Sequence, residues 1–125
     1  MSYRLYRELV ERAIHFLRIS AFDAEEGRFD IALFHIEQAV QLAVKAYLLK
    51  TLGNFPKIYS LWDLVEVTDN ECLRRIFEEK WYVVNILDDA YIGGRYMIRR
   101  YTEREYGEAK RFAEGVFKCL DTTGS

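Results

Sequence analysis

Proline is almost absent from this chain. There is one in 125 residues, and with only seven glycines the composition argues against a turn-rich β fold and against a proline-rich linker. Cysteine is as scarce. Cys72 and Cys119 are too few and too far apart to suggest a disulfide framework, and both read as small buried apolar residues. The two histidines, His15 and His35, do not make a zinc-ligand set, so no metal and no other cofactor is expected. Neither sign of charge dominates: the net charge of −2 excludes a global nucleic-acid signature and leaves only a local site for phosphate. No apolar run approaches the roughly 20 residues that span a bilayer. The opening MSYRLYREL has no apolar core of the kind that directs secretion. The expectation is a cytoplasmic protein without a membrane partner.

What the chain does have is apolar residues, half of the total, spaced for helices. Its length suits one domain over residues 1–125. Leu5, Leu9, Ala13, Phe16, Ser20 and Ala24 lie on one face of a first helix, with Arg4, Arg7, Glu8, Glu11 and Arg12 on the other. Gly27 ends it, and so short a turn folds the next helix back antiparallel. That second helix, Asp30 to Leu49, is apolar round most of its circumference and reads as the buried centre of the fold. Glu37, Gln38, Gln41 and Lys45 form its narrow polar strip. Gly53 and Pro56 stop it, Phe55 being disfavoured in a helix before proline.

Residues 57–67 carry a compact apolar cluster, enough for a short helix or turn. Thr68 with Glu71 has the capping-box spacing that announces a third helix, with Leu73, Ile76, Phe77, Trp81, Val84 and Leu87 on one side and an end near Asp88. A loop with Gly93 and Gly94 follows. Thr102 with Glu105 repeats the capping box ahead of a fourth helix running to Leu120, and residues 120–125 are expected to fray. The fold expected is all-α: an antiparallel up-and-down four-helix bundle with a short extra helix or turn between helices two and three.

One stretch is not explained by packing. In YIGGRYMIRRYTER, Arg95, Arg99, Arg100 and Arg104 alternate with Tyr91, Tyr96 and Tyr101. Guanidinium forks match phosphate oxygens, helix N-terminal amides attract anions, and tyrosine rings stack on bases. Arg95, Tyr96, Arg99 and Arg100 are therefore the candidate nucleotide or phosphate ligands. The bland alternative is a solvated loop whose arginines pair with Asp88, Asp89, Glu103 and Glu105. His35, alone on a buried helix, fits a hydrogen-bonded packing role better than a catalytic one.

The run ALFHIEQAVQLAVKAYLLKTLGNFP followed by YSLWDLVE resembles the second helix and following turn of HEPN domains. Gln38-Ala39, Lys45-Ala46 and Leu48 stand at the family's spacing. Gly94-Arg95-Tyr96, with the Thr102 to Leu120 helix, is similar to the family's small-residue-Arg-Tyr turn and last helix. The resemblance implies a helical bundle, usually a symmetric homodimer. It also implies a nucleotide- or RNA-related role, often beside a minimal nucleotidyltransferase protein in prokaryotic toxin-antitoxin pairs.

Ribonuclease members of that family carry an arginine, four to six intervening residues, and a histidine. Arg95 fits the arginine, but Tyr101 stands where the histidine would at the longest spacing, with Arg99 and Arg100 inside the interval. Tyrosine ionises near pH 10 and is a poor base at neutral pH. The reading favoured is a non-catalytic binding or partner module. A divergent metal-independent ribonuclease using Arg95 with Tyr101 or His35 is the first alternative, and a helical oligomeric scaffold the second.

Overall fold

A computed structural model describes residues 3–96 and 99–120, and the side chains of residues 92–98 lie outside the described part. The described residues form helices and no strand. The six helices are α1 (Tyr3–Glu25), α2 (Phe29–Leu52), α3 (Leu61–Thr68), α4 (Glu71–Glu79), α5 (Trp81–Tyr96) and α6 (Glu103–Leu120). α1, α2, α5 and α6 are the four long members of the expected bundle, and α3 and α4 are short insertions between α2 and α5.

α2 is the axis. It packs against α1, α3, α5 and α6, and Ala32, Leu33, Ile36, Ala39, Val40, Ala43, Val44, Ala46 and Leu48 are all without exposed surface. The alanines let neighbouring helices approach closely while the larger side chains fill the space between them. Both bounding glycines adopt the left-handed conformation, Gly27 at φ 74° and Gly53 at φ 85°, which ends a helix at low cost only for a residue without Cβ. The turn at Gly27 sets α1 and α2 antiparallel, with Phe16 and Asp23 of α1 both reaching His35 of α2.

Four details depart from the expectation. Leu5 is 43% exposed and Tyr6 is buried in its place. The third helix is interrupted at Lys80, giving α4 and α5. α4 buries Leu73 and Phe77, whereas α5 buries Val83, Val84, Leu87 and Ala90. The break falls between these two groups, and Trp81, expected on the buried side, is left 58% exposed. The Thr68–Glu71 capping box does not form: Asn70 caps α4 by accepting from the Leu73 amide at 2.9 Å, while Thr68 closes α3 by donating to the Val65 carbonyl. Finally, α5 continues as helix through Gly93 and Gly94 to Tyr96, because a helix already docked along α2 tolerates two glycines that a free one would not.

The cysteines are the clearest correction. Cys72 and Cys119 are joined in a disulfide, with Cα atoms 5.5 Å apart, and it ties α4 to the last turn of α6. Cys72 is exposed rather than buried. Sequence separation hid the pair because helical packing alone brings the start of α4 beside the end of α6. Leu120 ends α6 buried rather than frayed, and residues 121–125 lie outside the described part. Among the described residues no helix is long and apolar enough to cross a membrane.

Candidate functional site

The capping box at the start of α6 forms as its residues dictate. Thr102 N–H donates to Glu105 Oε1 at 2.8 Å, and Glu105 N–H donates to Thr102 Oγ1 at 3.1 Å. This reciprocal pair fixes the direction from which residues 99–101 approach the helix. They arrive beside the α1–α2 turn, and the two connections enclose a cleft of about 340 Å³ lined by Gly27, Arg28, Phe29, Asp30, Arg99, Arg100 and Tyr101.

Three guanidinium groups thus share one end of the bundle, two partly neutralised. Arg28 donates to both carboxylate oxygens of Asp30, at 3.3 and 3.4 Å. Desolvation pushes the Asp30 carboxyl up, but the Arg28 hydrogen bond and the Ile31 amide outweigh it and hold Asp30 below the usual range. Arg99 lies 3.7 Å from Asp89 on α5 and covers the Tyr101 ring at 4.7 Å. Arg100 is exposed and pairs with no carboxylate among the described residues. Such exposed ion pairs are worth little, so an anion competes with Asp30 and Asp89 at small cost.

Of the ligands expected from sequence, the cleft gathers Arg99, Arg100 and Tyr101. Arg95 and Tyr96 belong to the last turn of α5, and their side chains lie outside the described residues. The pairing of arginines with local acids is realised only in part: Asp89 takes Arg99, Arg104 turns to Glu108 at 3.3 Å, and Glu105 is occupied by the cap. Asp88 turns inward instead, accepting from the Leu61 amide at 3.0 Å and from Ser60 Oγ at 3.4 Å. Arg28 and Phe29 were not singled out from the sequence. Their only signal was an arginine next to a turn glycine, and tertiary contact alone brings that turn to Arg99.

The two candidate bases fare poorly. Burial pushes the Tyr101 hydroxyl above its usual pKa, a shift the nearby Arg99 only partly opposes, so tyrosinate is still scarcer at neutral pH. His35 bonds through Nδ1 to Asp23 at 2.6 Å and packs between the Phe16 and Phe34 rings. It faces α1 and is absent from the described lining of the cleft. No group of histidine, cysteine and carboxylate able to hold a metal ion occurs among the described residues.

A second polar cluster was read from sequence only as a narrow polar strip. Glu37 and Gln41 are in fact buried. Glu37 accepts one hydrogen bond from Gln38 and one from Gln41, each 2.9 Å, and the Gln41 amide also donates to the Tyr59 carbonyl.

This helical bundle centred on one apolar helix matches the HEPN domain family model over residues 6–122. The chain belongs to the HEPN family. It is also similar to the protein TT1696 from Thermus thermophilus, whose crystal structure superposes with a TM-score of 0.78 at 25% identity, over 93% of this chain and 95% of that one. No curated protein matches the sequence.

Proposed function

We propose that residues 1–125 act as one non-catalytic HEPN module that binds the phosphates of a nucleotide or RNA. The observation that carries this reading is the convergence of Arg28, Arg99 and Arg100 with the Tyr101 ring on one cleft of about 340 Å³, the scale of a small-molecule site. Arg100 supplies a charge uncompensated among the described residues, Arg28 and Arg99 exchange weak carboxylate partners for phosphate, and Tyr101 and Phe29 offer ring surface to a base. Arg95 and Tyr96, whose side chains lie outside the described residues, are proposed as further ligands on their residue types alone. No group there is poised to cleave RNA, since Tyr101 is shifted the wrong way, His35 is committed to Asp23, and Asp30, the carboxylate on the described lining, is bound by Arg28 and held below the usual range. This is why binding is favoured over a divergent ribonuclease.

The module works as a homodimer, and its partner is a minimal nucleotidyltransferase protein of a prokaryotic toxin-antitoxin pair. A cytoplasmic setting goes with that role, and an adjacent nucleotidyltransferase reading frame would support it. The direct test is titration of the protein with mononucleotides and short RNA. Three phosphate contacts on a single strand give a slope of about −2 for log affinity against log salt. The triple variant Arg28→Ala, Arg99→Ala, Arg100→Ala should flatten that slope. A folded triple variant with unchanged affinity and slope would refute the site.

A further inference from the structure

The polar cluster around Glu37 has no part in the described lining of the cleft, yet it buries a carboxyl group in the core. Glu37 has no exposed surface, and its two oxygens are met by the neutral amides of Gln38 and Gln41. Burial away from any directly bonded cation favours the protonated form, while the two hydrogen bonds donated by Gln41 and Gln38 oppose it without offsetting it. The charged groups facing it are few. Lys45, one turn beyond Gln41 on α2, is itself desolvated and lies 4.8 Å from the Tyr59 ring. Asp88 on α5 is half-buried and opposes ionisation, and Asp89 and Asp63 of α3 add to the negative potential around Asp88. The balance raises Glu37 to about 8, desolvation being the largest cause.

Both acids grip the same short segment. Gln41 joins Glu37 to the Tyr59 carbonyl, while Asp88 accepts from Ser60 Oγ and from the amide of Leu61, the first residue of α3. Leu64 N–H then bonds the Ser60 carbonyl at 3.0 Å. Residues 59–61 are thus pinned to α2 on one side and to α5 on the other, through groups centred on carboxyls.

We propose that residues 59–61 form a proton-controlled latch: protonated Glu37 keeps the connection between α2 and α3 closed, and its ionisation opens it. With Glu37 ionised, a buried anion faces Asp88 across the segment, and lifting Tyr59 and Ser60 lets water reach it. The sign follows from linkage. The closed form holds the proton up to about pH 8, whereas a hydrated glutamate loses it near 4.3. Opening therefore becomes more favourable with pH between those values, by at most about tenfold per unit, and levels off above the upper one.

Amide hydrogen exchange at Leu61 and Leu64, corrected for intrinsic base catalysis and followed from pH 5 to 9, reads the latch. Their opening should rise with pH, flatten near 8, and be insensitive to low denaturant, unlike the α2 core amides. Glu37→Gln keeps the shape and carries no proton to lose, at the expense of one accepting oxygen exchanged for a donating NH2, so its profile should be flat whatever its height. Asp88→Asn should move the plateau to lower pH. A Glu37→Gln profile that rises as steeply as the wild type would overturn the proposal. So would opening at Leu61 and Leu64 that follows global unfolding in its denaturant dependence.

Discussion

Breaking the Cys72–Cys119 disulfide is the most exacting test of how this fold is held together. The bond spans 47 residues, so in the chain-entropy account it restricts the unfolded ensemble by about 4 kcal/mol. That is a large share of the roughly 5–15 kcal/mol that stabilises an ordinary domain. Little burial offsets it, because Cys72 is exposed and Cys119 only half-buried. The double variant Cys72→Ala, Cys119→Ala isolates the effect without leaving a reactive thiol. With a urea slope of about 2 kcal/mol/M, its unfolding midpoint should fall by about 2 M, and the slope itself should rise as the freed chain expands. Excess reductant should produce the same shift in the wild type, since the exposed Cys72 sulfur lies open to attack. A midpoint change below about 0.5 M with an unchanged slope would refute the reasoning. Two thiols titrating in the denatured, unreduced protein would refute the pairing itself.

Other consequences can be checked singly. Glu37→Gln should abolish a loss of stability that the wild type shows as pH rises. The folded-state pKa of about 8 lies above the unfolded value, so this stability is full below about pH 4.3, declines by up to about 1.4 kcal/mol per unit, and is gone above 8; parallel wild-type and variant melting curves from pH 5 to 8 would contradict it. Gly115→Ala meets only the terminal Cδ1 of Ile76, a movable chain end, where α4 meets α6, and it replaces a mid-helix glycine, so thermal melting should show a change of no more than about 1 kcal/mol in either direction. Thr102→Ala removes the cap of α6 and should cost about 1 kcal/mol, together with weaker anion binding because residues 99–101 lose their anchor. A fluorogenic RNA assay with metal chelated should show no cleavage by the wild type, and cleavage abolished by Arg95→Ala would reverse the non-catalytic reading. Sedimentation at micromolar concentration should return twice the chain mass.

Local chemistry decided much of this protein. The apolar circumference of α2, the left-handed glycines at 27 and 53, and the Thr102–Glu105 cap follow from residue type and spacing within a few turns of chain, and so were legible in sequence. The family order of motifs was legible too. The break at Lys80 was not, since no proline or glycine marks it and Leu73, Phe77, Val84 and Leu87 keep one helical spacing across it. Nor was the Cys72–Cys119 bond, the meeting of Arg28 with Arg99 and Arg100, or the burial of Glu37 with Gln41 bonded to the Tyr59 carbonyl. In each of these, partners distant in sequence are brought together by the packing of whole helices. A hydrophobic stripe records that a face is buried but not against which neighbour, and that choice belongs to the tertiary structure.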